Sequence, residues 1–349
     1  MANPSATDGI PEGWFTSSGE TGQDYFSESP MQFNRSTVTW VNEEEEATLF
    51  YHDHAIAMTR LNVYAGLSGM VLLEDKQSPL SRLFDSLHDI QLFISDRTFN
   101  EDGSLFYPEE GESKEFPVWV PEFYGDSILV NGRTWPNMNV ERNNYRVRIV
   151  NGCNGRPLRL SFVDEEYGLA LPFSLYKADS CYYNNPLTLT EVPLAVSGRI
   201  EIVVDFNQLK GKRIIVKNSE EVVGHHHKVT YNSNTVGLVM SITPTIKTHR
   251  RIVVPIQNGL NPYLEIFPML ALNVNNRYLT LAEVADEEGN PIGTYLDGVG
   301  MHVPYPPFQL GQTYDLHLIN LTPDTHPMHI HLINFEFYKI ADLDTEKYS

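Results

Sequence analysis

Two groups of closely spaced histidines are the residues best suited to do chemistry. The first group is His52 and His54, in the run YHDH that ends the apolar stretch ATLFY. Alternate residues of a β-strand project from the same face, so both rings can point at one metal cluster. Neutral imidazole is a ligand for copper, zinc, iron or nickel. Two polar side chains on an exposed strand face would also explain this pair, so it decides little by itself.

The second group is His326, His329 and His331, in the run HPMHIH. Apolar runs, LHLINL and LINFEF, lie on both sides of it, which is difficult to reconcile with a solvated surface. His329 and His331 share a face if the segment is extended, whereas Pro327 fixes the backbone after His326 and can direct that ring elsewhere. These histidines therefore predict a metal site.

Other metal-binding patterns account for these residues less well. A cupin would use a glutamate after the second histidine pair, and Glu336 is suitably placed, but the flanking glycines are missing and the first pair stays unexplained. The HExxH pattern of zinc proteases and the HxHxDH pattern of zinc hydrolases are both absent. The histidine run at 225–227 lies between two predicted strands and is interpreted as an exposed loop.

Short apolar runs bounded by Gly, Pro, Asn or Asp dominate the chain and predict an all-β fold of sandwich or Greek-key type. Helical periodicity is limited to Asp53–Leu67, where we expect at most a short helix. The predicted strands are Ser36–Val41, Ala47–Tyr51, Gly69–Leu73, Ile90–Ile94, Tyr145–Val150, Ile200–Phe206, Arg213–Val216, Thr235–Ile242, Thr313–Ile319 and Phe335–Ile340.

Two breaks in the pattern predict the domain organisation. Glu74–Leu83 is a polar linker, and Thr243–Arg251 combines proline with basic residues after a strand. The 349 residues exceed what one compact core usually holds. We therefore expect domains at 1–75, 84–243 and 250–349.

Charge and cysteine content restrict the partners and the cofactor. The formal net charge of -20 repels nucleic acid and anionic membranes and favours neutral or cationic substrates. No apolar run has transmembrane length and the N-terminal residues lack a signal-peptide pattern, which leaves the compartment open. Cys153 and Cys181 are either two thiols or one disulfide, and neither lies beside a histidine in a thiolate metal motif.

Five segments together resemble the multicopper oxidases, especially the bacterial spore-coat laccase and bilirubin oxidase branch. TLFYHDHAIAMTRLNVYAGLSGMVLLED is similar to the second copper motif, and THPMHIHLINFEF is similar to the third, HPxHxH. ILVNGRTWPNMNVERNNYRVRIVNGCNGRPLRLSF and PLAVSGRIEIVVDF resemble the middle cupredoxin domain. ATDGIPEGWFT resembles the segment that follows the first copper motif. The likeness covers nearly the whole chain.

The resemblance implies tandem cupredoxin-like Greek-key sandwiches with copper as cofactor. In this family a blue copper takes electrons from the substrate, and a trinuclear cluster reduces dioxygen to water. His52, His54 and His331 match ligands of the dinuclear pair in that cluster, and His329 matches a ligand of the third copper. His326 matches a ligand of the blue copper. Asp8 matches an acidic residue that relays protons near the cluster, although an Asp-Gly turn explains it equally well.

The chain also departs from the family pattern. There is no HxHG motif before Asp8 and no HCHxxxH motif after His331, and neither cysteine can replace the one in the latter motif. The matching histidines amount to four of the eight cluster ligands and one blue-copper ligand. We therefore expect an internal portion of a laccase-like oxidase, with the first and third domains incomplete, that is inactive alone.

Three interpretations of the function are compatible with these residues. The parent protein would oxidise phenols, pigments or metal ions, one electron at a time, with dioxygen as the acceptor. Alternatively, the chain is a non-catalytic copper-binding or structural cupredoxin protein. In a third interpretation, a complementary polypeptide supplies the missing copper motifs.

Overall fold

The computed structural model describes residues 11–23, 45–109, 122–222, 231–246, 250–254, 274–289, 291–300, 306–322, 325–330, 335, 337 and 339–342. These residues fall into two compact units, which are described separately. The first unit lies within 1–106, 123–222 and 230–263, and the second within 107–122, 223–229 and 264–349. Strands predominate, as the sequence predicts. No helix in the described ranges is long and apolar enough to cross a membrane.

The elements are numbered here in chain order. They are β1 (Ala47–His52), α1 (Thr59–Ala65), β2 (Ser68–Leu73), α2 (Pro79–Leu83), β3 (Asp89–Arg97), β4 (Ser127–Val130), β5 (Arg133–Thr134), β6 (Asn137–Glu141), β7 (Asn144–Asn151), β8 (Leu158–Asp164), β9 (Phe173–Ala178), β10 (Cys181–Leu189), β11 (Glu191–Leu194), β12 (Arg199–Asp205), β13 (Ile214–Asn218), β14 (Leu238–Ile246), β15 (Val274–Ala285), β16 (Pro291–Leu296) and β17 (Thr313–Asn320).

A two-sheet sandwich forms the body of the first unit. One sheet has the strand order β10-β9-β12-β7-β3-β4-β5, and the other has the order β11-β8-β13-β14-β6. Most neighbours are antiparallel, but β3 pairs with β7 and β14 pairs with β6 in parallel. Such parallel pairs require crossover connections, which agree with the predicted Greek-key type.

Alternating apolar side chains from both sheets build the core between them. Val147 and Ile149 of β7 face inward, as do Phe162 of β8 and Ile214 of β13, and all four are fully buried. Phe162 meets Phe173 of β9 edge-to-face across the two sheets, with ring centroids 5.7 Å apart. The other face of the seven-stranded sheet is covered by α2 and its neighbours, in a smaller cluster formed by Leu80, Phe84, Tyr176, Tyr182, Val203 and Ile252.

The histidine-bearing strand β1 forms an antiparallel hairpin with β2, in which His52 is opposite Ser68. The short helix expected between them is confirmed as α1. Gly66 ends α1 in the left-handed conformation, at φ 110°, and donates its N–H to the carbonyls of Asn62 and Val63. Glycine suits this position because it has no Cβ to oppose a positive φ.

Both predicted breaks contain regular structure. The polar linker Glu74–Leu83 includes α2, because Ser78 caps the helix by accepting a hydrogen bond from the Ser81 N–H and Pro79 begins it. The second break begins inside β14, which continues to Ile246. Local polarity and proline therefore did not prevent regular structure at either place.

The second unit contains a three-stranded sheet of order β16-β15-β17, in which β15 and β17 run parallel. The expected strand Thr313–Ile319 is confirmed as β17. The expected strand Phe335–Ile340 lies partly outside the described residues, and Ser36–Val41 lies wholly outside them.

We expect Phe162→Ala to lower the free energy of unfolding by about 3–5 kcal/mol, because it leaves a cavity at the contact between the two sheets. Urea unfolding measures the change. Leu169→Ala is the control, since that side chain is 66% exposed, and a change within about 0.5 kcal/mol is expected there. Equal effects of the two substitutions would contradict this description of the core.

Candidate metal centre

The first histidine pair lies where β1 ends. His52 is the last residue of the strand, and His54 follows in the turn towards α1. Their ring centroids are 5.6 Å apart, with the planes inclined by 30°. Phe50 extends this row, with its ring 5.1 Å from that of His52 and 6.0 Å from that of Phe93 in β3. The two imidazoles therefore lie side by side, although β1 ends at His52 and the alternation of a strand does not extend to His54.

A backbone hydrogen bond determines which nitrogen His52 presents. Its Nδ1 lies 2.7 Å from the carbonyl oxygen of Asp53. A carbonyl oxygen can only accept, so Nδ1 carries the proton and Nε2 keeps the lone pair. Proteins orient imidazole ligands towards metals in this way.

Asp53, which sequence analysis did not identify, holds the turn between the two histidines. Its carboxylate accepts hydrogen bonds from the Ala55 N–H at 3.2 Å and from the Asn62 side chain at 3.0 Å. Its own N–H donates to the carbonyl of Leu67 at 3.1 Å. The sequence feature that could have identified Asp53 is its position between two histidines, because an acidic side chain there can order the loop.

His326 is held in the second unit by a hydroxyl group. Thr322 Oγ1 donates to Asn320 Oδ1 at 2.8 Å and lies 2.7 Å from His326 Nε2. The hydroxyl therefore accepts from Nε2, which leaves the lone pair of His326 on Nδ1. Glu283 Oε1 is 3.8 Å from the same Nε2. Neither Thr322 nor Glu283 was singled out by sequence analysis.

The other predicted site residues are less fully described. His329 is exposed and lies outside any strand of the described residues. His331 and Asp8 lie outside the described residues, as do the histidines of the run at 225–227. Within the described ranges, no group of three or more His, Cys, Asp or Glu side chains comes together to hold a metal ion. The donors in place, an Nε2 from His52 and an Nδ1 from His326, are nitrogen ligands of the kind copper accepts, so they fit that metal.

The two cysteines contribute no ligand here. Both are free thiols. Cys153 is buried in the sandwich, and burial raises the pKa of its thiol well above the usual value. Because thiolate is the metal-binding form, Cys153 is poorly suited to be a ligand.

A buried group of charges, which we name the anchor cluster, lies where β1 begins. It consists of Glu46, Arg146, Lys177, Tyr182 and Glu201. Arg146 Nη2 is 2.5 Å from Glu46 Oε1, and Arg146 Nε is 2.9 Å from Glu201 Oε2. Glu46 and Glu201 are each 1% exposed, and Arg146 is 0% exposed. The cluster is not evident from the sequence, because the alternation in YRVRIV is typical of a strand whose arginines face water.

The environment of Glu46 stabilises its carboxylate. Burial by itself would raise the pKa of Glu46. The opposite charge of Arg146 and hydrogen bonds that include those of Ser78 and Ser81 outweigh burial and lower the pKa from 4.5 to about 2. Glu46 is therefore charged throughout the neutral and mildly acidic range.

This lowered pKa predicts a loss of stability in acid. A carboxyl group whose pKa is lower in the folded state stabilises the fold above its unfolded pKa, and that contribution disappears as the pH falls from 4.5 to about 2. The stability difference between the wild type and Glu46→Gln should shrink by on the order of 3 kcal/mol over this interval. Urea unfolding at several pH values measures it, and parallel pH profiles for the two proteins would contradict it.

The hydrogen bond of His52 predicts its tautomer. Nitrogen-15 NMR of the histidine-labelled chain should show the neutral ring of His52 with a protonated Nδ1 and an unprotonated Nε2. His317 is the comparison, since its Nε2 lies 3.2 Å from Asn276 Oδ1 and engages a different partner. Observation of the Nε2-protonated form of His52 would contradict this assignment.

Known proteins were compared with this chain by sequence and by structure. No protein-family profile matches it. The chain is 34% identical to a laccase of Bacillus stratosphericus over 352 residues, covering 99% of this chain and 65% of that protein. It is also 34% identical to a laccase of Bacillus subtilis, covering 99% of this chain and 64% of the relative. The chain thus spans about two thirds of the length of these relatives.

Structural comparison gives the same result. The McoA multicopper oxidase of the hyperthermophile Aquifex aeolicus superposes with a TM-score of 0.66 and 28% identity, covering 82% of this chain and 61% of that one. This likeness confirms the cupredoxin-like fold class, and the relatives imply copper as the cofactor. Over nearly all of its length, this chain is related in sequence and in fold to the multicopper oxidases.

Proposed function

We propose that the chain is an internal portion of a laccase-type oxidase, which couples one-electron oxidation of a small reductant to the reduction of dioxygen to water. Residues 1–75 would be the end of a first cupredoxin domain, 84–243 the middle domain and 250–349 the beginning of a third. The coverage of about two thirds of the Bacillus laccases supports this division. The portion by itself is proposed to be inactive, because motifs HxHG and HCHxxxH are not in it.

The geometry of His52 and His54 carries the proposal. Two adjacent imidazoles, one with its Nε2 lone pair left available by a hydrogen bond from Nδ1 to a backbone carbonyl, would supply two nitrogen ligands to copper. A structural pair of histidines on a strand surface would not require the ring nitrogen to be oriented in this way. His329 and His331 are further proposed copper ligands, because they match the third copper motif.

The side chains of this chain have defined tasks in that reaction. Copper, when bound, supplies the redox chemistry that transfers electrons to dioxygen. Asp53 keeps the His52 Nδ1 proton in place through its carbonyl and orders the turn through its carboxylate. Thr322 does the equivalent for His326, the proposed ligand next to the reductant. Asp8 is the proposed proton donor to reduced oxygen.

The charge of the chain supports a neutral or cationic reductant. With a formal charge of -20, the surface attracts metal cations and does not oppose phenols, but it repels anions. Phenolic, pigment and metal-ion reductants are the proposed substrate classes. The missing copper motifs are proposed to come from the continuation of the same protein, and a complementary polypeptide is the alternative source.

Oxygen uptake tests the function. The complete reading frame, including any HxHG and HCHxxxH motifs in the flanking DNA, is expressed, loaded with copper and given a phenolic substrate. Oxygen consumption is expected, and His52→Ala or His54→Ala should lower the rate by about 100-fold or more, since each removes a proposed ligand.

His317→Ala is the matched control, because it removes an imidazole that lies 4.5 Å from the Tyr278 ring and matches no copper motif. It should retain the wild-type rate. Binding of copper without oxygen uptake in the complete protein would favour the non-catalytic copper protein instead. Failure of copper to bind, or full activity of His52→Ala, would overturn the proposal.

A further inference from the structure

Glu46, the residue before β1, accepts hydrogen bonds from the seven-stranded sheet and from α2. Its Oε1 accepts hydrogen bonds from Arg146 of β7 at 2.5 Å and from Ser81 of α2 at 2.8 Å. Its Oε2 accepts from the Tyr182 hydroxyl of β10 at 2.8 Å. Three separate elements thus converge on one buried carboxylate.

The backbone around Glu46 is held by the same sheet. Lys177 of β9 donates to the carbonyl of Glu46. Thr48 Oγ1 donates to Glu201 Oε1 of β12 at 2.8 Å, and Arg199 Nε donates to the carbonyl of Thr48 at 3.4 Å. The first residues of β1 are therefore fixed in both position and direction.

The remainder of β1 makes fewer contacts with the rest of the first unit. In the part of the chain that the structure describes, its only strand neighbour is β2. Phe50 adds one contact with the sheet, through the ring of Phe93. At about 3.3 Å per residue, β1 carries His52 roughly 20 Å from Glu46, so a change of direction at the anchor is amplified at the histidines.

We propose that Glu46 is a positioning residue for the histidine pair: it fixes the direction of β1 against the seven-stranded sheet and so sets where His52 and His54 present their nitrogens. A buried charge suits this task better than an apolar side chain does. Apolar packing tolerates several arrangements, whereas a displaced carboxylate would leave Arg146 and Tyr182 with unsatisfied hydrogen bonds. This inference rests on the proposed role of His52 and His54 as copper ligands.

Two measurements on the isolated chain test the proposal without enzymatic activity. Nitrogen-15 NMR of labelled histidines reports the environment of both rings in the absence of metal, and titration with Cu²⁺ gives the affinity of the pair. Glu46→Gln should shift the ring resonances of His52 and His54 and weaken Cu²⁺ binding by about 10-fold or more. Thr48→Val, which removes only the hydrogen bond to Glu201, should shift the same resonances by less.

Asp96→Asn is the matched control. Asp96 is also fully buried and pairs with Arg156 at 3.1 Å, but the groups that it contacts, in Gly125, Asn154 and Arg156, lie in loops and not in β1. It should destabilise the fold comparably while leaving the His52 and His54 resonances and the Cu²⁺ affinity at their wild-type values. All measurements are made where circular dichroism shows each variant to be folded.

The possible results separate the two proposals. Unchanged histidine resonances in both Glu46→Gln and Thr48→Val, or equal shifts in Asp96→Asn, would overturn the positioning role. If His52→Ala leaves the Cu²⁺ affinity of the chain unchanged, the ligand assignment behind the proposed function is wrong. The NMR comparison still decides in that case whether Glu46 directs β1.

Discussion

The buried ion pair between Arg146 and Glu46 is the interaction on which the rest of the first unit depends. Arg146 lies in the middle of the seven-stranded sheet, on the face opposite the apolar core, and would be expensive to bury without a partner. Glu46 and Glu201 supply that partner from two directions. Glu46, directly before β1, must therefore lie against the sheet, because the guanidinium holds its carboxylate there.

The need for a partner to the buried Arg146 connects the stability of the fold with the proposed copper chemistry. Once Glu46 is in place, β1 leaves the sheet in one direction and forms a hairpin with β2. The hairpin ends in a turn that Asp53 orders, and the Asp53 carbonyl then selects the nitrogen that His52 offers. Each step restricts the next one, so the orientation of a ring at the end of β1 follows from charges buried at its beginning.

In the second unit, different groups orient the histidine ring. His326 is oriented by a threonine hydroxyl, whose own proton is engaged by Asn320. In the first unit a carbonyl fixes Nδ1 and leaves Nε2, whereas in the second a hydroxyl engages Nε2 and leaves Nδ1. His52 and His326 thus differ in the nitrogen they present, a difference that histidine spacing alone does not reveal.

The sequence alone determined the all-β class, the short helix before β2 and the histidines that identify the family. These features are local: alternation distinguishes the two faces of a strand, and ligand spacing is a property of adjacent residues. Asp53, Thr322 and the anchor cluster were not found in this way. Glu46 and Arg146 are 100 residues apart in the chain, and YRVRIV has the pattern of a strand with one face in water. Alternation shows that a strand has two faces, but only the tertiary structure decides what covers each. Here the tertiary structure buries Arg146, which the sequence pattern places on a solvent-exposed face, and makes it a support for the start of β1.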